Sequence, residues 1–237
     1  ADEGEPGTFK DRWILENVPH QLLESMLISS YALDVRHCFV YIRGEFDLPY
    51  RRIAGAVEEA YAAGYFGRNI LGSGFDCDVV VYRGAGAYVA GEASGLLASL
   101  EGKKSYPRNR PPRLTVKGLY QRPTVVNNVE SLANVATIVR DGADAFKSVG
   151  TPKSPGTRLF SVSGHIARPG VYEVELGYPW MKFLDEDCGG VPGGRAIKCV
   201  VPGGVSSKVL TGAEIANLRL CHEDLWDTGS TLGSGGM

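Results

Sequence analysis

Between Pro19 and Leu100 the sequence alternates apolar runs of two different periods, and that alternation limits the fold more than any other feature. Pro19 to Asp34 carries Leu22, Leu23, Met26, Leu27 and Tyr31 at helical spacing, with Pro19 suited to a first turn. Arg36 to Arg43 holds Cys38-Phe39-Val40-Tyr41-Ile42, the unbroken apolar run of a buried strand. Pro49 opens a second amphipathic helix through Ile53, Val57, Ala60 and Tyr61 that ends near Gly64. Asp78 to Tyr82 is a second apolar strand; Gly84, Gly86 and Gly91 follow, then the helical run Ser94 to Leu100. Strand, helix, strand, glycine turn and helix in succession predict an α/β layer fold.

Outside that block the pattern changes. The opening A-D-E-G-E-P-G-T-F-K-D-R sets Asp2, Glu3, Glu5 and Asp11 among two glycines and a proline and reads as a rigid loop. Glu101 to Pro123 is a Pro/Arg/Lys-rich excursion, after which Asn127 to Arg140 returns as a helix with Val129, Leu132, Val135, Ala136 and Val139 on one face. Thr151-Pro152-Lys153-Ser154-Pro155-Gly156 reads as a linker. Beyond it lie short β-type runs at Arg158 to Ser163, Gly170 to Glu175 and Ala196 to Val201, and a short helix at Pro179 to Asp185, a small α+β module. The Gly/Ser-rich tail from Gly229 reads as a flexible loop. The expected domains are therefore 1–150 and 156–237.

Several function classes lose support from composition. Twenty-five Lys+Arg against 27 Asp+Glu give a net charge of −2, so no global field draws the chain to nucleic acid or anionic lipid. The longest apolar runs fall far short of the roughly 20 residues of a membrane span. Five cysteines, with no C-x-x-C pair, argue for packing roles in a reduced cytosolic setting and against a metal site carried by this chain alone. None of the four histidines stands beside a nucleophile motif.

Three constellations remain. In R-G-A-G-A-Y-V-A-G-E-A-S-G, Arg83 to Gly95, the glycines permit close approach of a flat or phosphorylated ligand and the next helix would offer N–H groups. The spacing does not match the Rossmann fingerprint, because Gly91 comes five residues after Gly86; a tight turn without ligand and a cofactor cradle both stay open. Lys103 to Lys117 holds six basic residues and no acid, a solvated loop unless Pro107, Pro111 and Pro112 fix Arg108 and Arg110 for phosphate. Asn127 and Asn128 precede a helix, as caps or as amides offered to a heterocycle.

Taken together, A-D-E-G-E-P-G-T-F-K-D-R, G-A-G-A-Y-V-A-G-E-A-S-G-L-L-A-S-L-E-G-K, P-R-N-R-P-P, K-G-L-Y-Q-R-P-T-V-V-N-N-V-E-S-L-A-N-V and S-G-H-I-A-R-P-G-V-Y-E-V resemble the NADH-binding FMN flavoprotein subunit of respiratory complex I, over essentially the whole chain. The same subunit type serves as the diaphorase of NAD-linked hydrogenases and formate dehydrogenases. The resemblance implies part of an α/β non-Rossmann flavin/NADH-binding domain over 1–150, followed by an α+β soluble-ligand-binding β-grasp domain over 156–237 and the start of a linker to an Fe–S domain. It implies hydride transfer from NADH to FMN and one-electron transfer to Fe–S clusters within a multisubunit complex. That complex would be cytoplasmic and peripheral to the inner membrane, with a 2Fe–2S thioredoxin-like subunit among the partners. A non-catalytic ligand- or partner-binding module is the reading of another class.

Carried over by position, Asp2, Glu3, Tyr88, Gly91, Glu92, Asn127, Asn128 and Ser131 would contact FMN, while Glu5, Arg110 and Arg113 would face NADH; the flavin carries the chemistry, so no catalytic side chain is expected. Two positions depart from the family pattern. Gly91-Glu92-Ala93-Ser94 stands where the family has G-E-E-T, and Arg113, able to stack by its guanidinium or meet a 2′-phosphate, stands where it commonly has Phe, implying altered nucleotide affinity or preference, toward NADPH or a non-respiratory partner. The family's upstream glycine-rich loop and its downstream 4Fe–4S cysteine motif are not in this sequence, and with Ala1 in place of a Met the chain is expected to be an internal piece, inactive alone.

Overall fold

In the computed structural model, which describes residues 1–237, the first regular element is helix α1 (Asp11–Asn17), which buries Ile14 and Leu15; it begins inside the stretch 1–12 that reads as a loop and runs through residues to which the sequence reading assigns no element. Its start depends on a non-local cap. The Glu3 carboxylate accepts from the Asp11 N–H at 3.0 and 3.1 Å and from the Arg12 N–H at 3.4 Å, satisfying amides that the helix itself leaves without partners.

Helix α2 (Pro19–Leu33) begins on proline and ends where Asp34 turns left-handed, its N–H donating to the Ser30 and Tyr31 carbonyls. Strand β1 (His37–Ile42), helix α3 (Asp47–Ala62) and strand β2 (Asp78–Arg83) then form a β-α-β unit, with α3 as the crossover that a parallel pair requires. The strands pair from His37↔Asp78 to Ile42↔Arg83. Val40, Ile42, Ile53, Val57 and Val79 are buried with Leu15, Leu22 and Leu23. Helix α4 (Ala93–Leu100) follows the glycine turn, and the Tyr41 hydroxyl lies 3.0 Å from the Ser99 Oγ while Tyr82 donates to the Ser99 carbonyl at 3.3 Å. The two tyrosines stack at 5.5 Å and fasten the strand pair to α4. Helix α5 (Val129–Asp141) is tied to α2, where Gln21 donates to the Ala133 carbonyl at 3.0 Å and the Ala136 N–H to Ser25 Oγ at 3.1 Å.

These elements, α5 as far as Thr137, belong to one compact unit, Ala1–Gly4 with Asp11–Thr137; a second comprises Glu5–Lys10 with Ile138–Met237. The second contains helix α6 (Ala143–Lys147), the antiparallel strands β3 (Thr157–Val162) and β4 (Gly170–Glu175), and helix α7 (Trp180–Lys182), which runs into a π turn, Phe183–Asp187. Strands β5 (Cys199–Val200) and β6 (Leu210–Thr211) pair antiparallel, followed by helices α8 (Gly212–Ile215) and α9 (His222–Asp227). Phe160, Trp180, Phe183, Leu210, Ile215, Leu220, Leu225 and Leu232 are fully buried in its core.

Two segments differ from their sequence reading. Residues 151–156 form a turn locked by Glu223, whose carboxylate accepts from Thr151 at 2.5 Å and Ser154 at 2.6 Å. Burial pushes the Glu223 pKa up, but those hydroxyls outweigh it and hold the group at about 2. The glycine-rich tail is pinned rather than flexible. The Ser161 N–H donates to the Gly235 carbonyl at 2.8 Å, the Met237 N–H to the Ser161 carbonyl at 2.6 Å, and Leu232 is buried in the core. Small sheets with helices around them make this an α/β chain, and no helix is long and apolar enough to cross a membrane.

Candidate functional site

The C-terminal ends of β1 and β2 deliver two turns, Arg43–Phe46 and Gly84–Gly91, to one edge of the first unit. Glycine is required there by the protein's own packing: a Cβ on Gly84 would collide with the Tyr41 ring and hydroxyl, and one on Gly91 would stand 3.2 Å from the Asp2 carbonyl. The close approach read from the sequence is thus partly an approach of the protein to itself.

Residues Asp2–Gly4 lie against this turn, and Arg43 holds them by donating to the Glu3 carbonyl at 2.9 Å, while its N–H donates to the Ala1 carbonyl at 3.2 Å. A Cβ on Gly4 would meet the Tyr88 ring at 3.2 Å. Glu3 is buried as the cap of α1. Asp2 is different: its Oδ2 is buried and has no hydrogen-bond partner. Burial raises the Asp2 pKa, incompletely offset by the Ala1 amine and then by Arg43. A buried carboxylate oxygen without a donor is costly, and beside it the Tyr88 ring is 62% exposed.

At the other end of the turn Glu92 caps α4. Its Oε2 accepts from the Ser94 and Gly95 N–H groups, both at 2.9 Å, and from the Ser94 hydroxyl. The α4 amides expected to face a ligand are therefore occupied by this carboxylate. Burial pushes Glu92 up, but these donors and Arg110 together bring its pKa below the ordinary carboxylate range. Arg110 Nη2 reaches Glu92 Oε1 at 3.3 Å. From there an open cleft of about 590 Å³ is lined by Ala93, Arg110, Arg113, Thr115, Val125 and Val126 among others.

The basic excursion is ordered by its own first residue, to which the sequence reading gives no role. Glu101, its side chain 2% exposed, takes Arg108 at 2.9 Å, Lys103 at 2.7 Å and the Tyr120 N–H at 2.9 Å. Burial pushes its pKa up, yet these donors hold it at about 2. The Arg108 N–H donates to Ser94 Oγ at 2.8 Å, which fastens the excursion to the start of α4.

Asn128 caps α5: its Oδ1 accepts from the Glu130 N–H at 2.9 Å and faces the Ser131 N–H at 3.5 Å, and its Nδ2 donates to Asp11 Oδ2 at 2.6 Å. Asn127 and Ser131 are exposed beside it. The structure thus sets Gly91 against Asp2 and Gly4 against Tyr88, with Glu3 buried as the α1 cap; it pairs Glu92 with Arg110, which lines the cleft with Arg113, and it puts Asn127, Asn128 and Ser131 at the head of α5. Glu5 belongs to the second unit, where its Oε1 accepts from the Ser206 N–H at 2.9 Å. Arg43 and Asp11 join the site without having been given a ligand role: Asp11 lies within the opening acidic stretch, and the signal for Arg43 is its place one residue beyond an apolar strand. No cluster of three or more His, Cys, Asp or Glu is placed to hold a metal ion.

An exposed ring, a donor-seeking buried carboxylate and a cation pair along an open cleft suit a flat ligand bearing hydroxyls and phosphate. The chain belongs to the Nuo51 FMN-binding domain family, whose sequence model matches residues 1–137. More particularly, it is similar to an NADH-quinone oxidoreductase subunit of Rhizobium meliloti, at 47% identity over 100% of this chain and 56% of that protein. It is likewise similar to an NADH-quinone oxidoreductase subunit of Mycobacterium bovis, at 50% identity over 99% of this chain and 52% of that protein. Among solved structures, an NAD+-reducing [NiFe]-hydrogenase in the H2-reduced state superposes with a TM-score of 0.87 at 35% identity, over 100% of this chain and 38% of that one. The chain spans about half the length of the curated relatives it matches.

Proposed function

We propose that this chain is part of an FMN-dependent NADH dehydrogenase, the electron-input subunit of a multisubunit complex, in which NADH gives a hydride to FMN and electrons leave singly to Fe–S clusters. FMN, when bound, supplies a two-electron acceptor that releases electrons one at a time. The residues of the chain bind and orient. Asp2 offers its unpartnered oxygen to ligand hydroxyls, with Arg43 and Glu3 fixing the backbone that carries it. Tyr88 and Gly91 form the wall for the ring, and Asn127, Asn128 and Ser131 hold the polar side of the flavin. Glu92 fixes Arg110, which with Arg113 meets nucleotide phosphate along the cleft, and Glu5 faces the nucleotide from residues 5–10. Arg113 and Ala93, at their positions in the cleft, favour a larger share of NADPH use, read as the ratio of NADH to NADPH turnover; an undiminished preference for NADH overturns that part.

The second reading, a diaphorase subunit of an NAD(P)-linked hydrogenase, is supported by the likeness to the hydrogenase structure; a formate dehydrogenase diaphorase is the related alternative. In either, residues 1–150 are part of the FMN/NADH domain and 156–237 a β-grasp module for docking. Partners then include other subunits, among them one with a 2Fe–2S cluster. The 4Fe–4S ligands lie in the longer subunit, and the assembly is peripheral to the membrane on the cytoplasmic side.

The observation that carries the proposal is the buried Asp2 oxygen without a donor. Asp2→Asn tests it in the full-length protein. Flavin affinity is expected to fall by about tenfold or more, the loss of one hydrogen bond to a charged acceptor, while the flavin-free protein melts no lower than before. A variant that keeps flavin affinity and loses stability assigns Asp2 to structure alone.

A further inference from the structure

The five cysteines are not all isolated. Cys38 opens β1 and Cys77 immediately precedes β2, and the register His37↔Asp78 puts both on the same face of the strand pair, one step apart along the diagonal. Their sulfurs are 3.8 Å apart. Cys77 is 1% exposed, and its backbone is fixed by two hydrogen bonds with Gly67, at 2.8 and 3.0 Å. Cys38 is only partly buried, with the Ser30 hydroxyl 3.0 Å from its sulfur. The other three thiols differ: Cys188 and Cys221 are fully buried and Cys199 is exposed.

We propose that Cys38 and Cys77 are a reactive dithiol site for hydroperoxides, in which the accessible Cys38 attacks and the buried Cys77 resolves to give a reversible disulfide. The hydrogen bond from the Cys77 thiol stabilises the Cys38 thiolate and lowers its pKa, against the opposing effect of burial, while the Cys77 pKa moves up. The thiolate is the attacking form. The step balances with hydrogen peroxide as the named oxidant. The Cys38 thiolate attacks one peroxide oxygen, the O–O bond breaks, and hydroxide leaves, so that Cys38 becomes a sulfenic acid. That hydroxide takes up the proton Cys38 released on ionising. The Cys77 sulfur then attacks the Cys38 sulfur and the S–O bond breaks, and the departing oxygen leaves as water with the proton lost by Cys77. Two thiols and one peroxide give one disulfide and two waters, with two electrons passing from sulfur to oxygen. A dithiol reductant reverses the bond by exchange.

Bond formation contracts the sulfur separation from 3.8 Å to about 2.05 Å. The pair stands at the ends of β1 and β2 opposite Arg43 and Gly84, so this site is separate from the nucleotide chemistry proposed above and stands or falls independently of it.

The test is peroxide treatment of the full-length protein, alkylation of remaining thiols, digestion without reduction and peptide mass spectrometry. A cross-linked Cys38–Cys77 peptide that dithiothreitol abolishes is expected, with both residues losing alkylation in parallel. In Cys77→Ser, Cys38 is expected to accumulate as a dimedone-trapped sulfenic acid; in Cys38→Ser, Cys77 is expected to stay reduced. The proposal is overturned if Cys38 and Cys77 both remain alkylatable at a peroxide dose that oxidises the exposed Cys199. Single oxidation of Cys38 in the unaltered protein, with Cys77 still reduced, overturns the resolving role.

Discussion

Glu3, Glu92 and Asn128, three side chains at the candidate site, each receive the first amides of a helix, α1, α4 and α5 respectively. This explains how far such a site can be read from sequence. Caps and ligand contacts call for the same short polar side chains just before a helix, so Asn127-Asn128 is equally good evidence for both roles until a structure shows where each oxygen points. Asn128 proves to be a cap, and Asn127 remains exposed. Arg43 is illegible in sequence because its work is on backbone carbonyls, which no motif records. The Glu92–Arg110 pair is open to solvent, 39% and 56% exposed, so a double-mutant cycle on stability is expected to give a coupling of only about 0.2–1 kcal/mol. Arg110→Ala is expected to shift thermal stability by no more than about 0.5 kcal/mol while raising the KM for the nucleotide severalfold. A large stability loss with unchanged KM would place Arg110 among structural residues.

At the scale of elements, helices with a full apolar stripe are legible: α2, α3, α4 and α5 lie within two or three residues of their periodicity. Helix α1 is not, because it is seven residues long and its cap lies eight residues upstream; a local reading sees only the glycines and proline before it. The tail from Gly229 departs from its sequence reading for a related reason. Glycine and serine describe a flexible segment unless a strand edge takes their backbone, and here β3 does so through Ser161. The Lys/Arg excursion is likewise ordered by a contact its composition does not show, since its first residue, Glu101, takes Lys103 and Arg108. Glu101→Gln keeps the shape but weakens two cationic contacts. It is expected to make the Lys103–Lys117 segment several times more sensitive to limited trypsin digestion, with the rest of the first unit cleaved at its former rate. Unchanged cleavage of that segment would remove Glu101 as its anchor.

Across the whole molecule, both compact units rely on carboxylates with strongly lowered pKa values: Glu101 in the first, Glu223 and Asp224 in the second, each at about 2. A carboxylate whose folded pKa lies below its unfolded value near 4.5 contributes stability above that value and loses it as pH falls toward 2. Unfolding followed by circular dichroism is therefore expected to show stability falling from about pH 4.5 to about pH 2, and Glu101→Gln with Glu223→Gln is expected to flatten that fall while lowering stability at pH 7. An equally steep acid transition in the double variant would contradict the assignment. Asp2 acts in the opposite sense, since burial raises its pKa and its charge destabilises the flavin-free fold at neutral pH. The central claim is a site that takes up FMN and passes it electrons from NADH, with the Asp2 oxygen accepting from the ligand. The most direct measurement is anaerobic titration of the full-length subunit, purified in its native assembly, with NADH while the visible flavin absorbance is followed. Bound FMN that bleaches in proportion to the NADH added is the expected result; a protein that takes up no FMN, or holds FMN that NADH leaves oxidised, contradicts it.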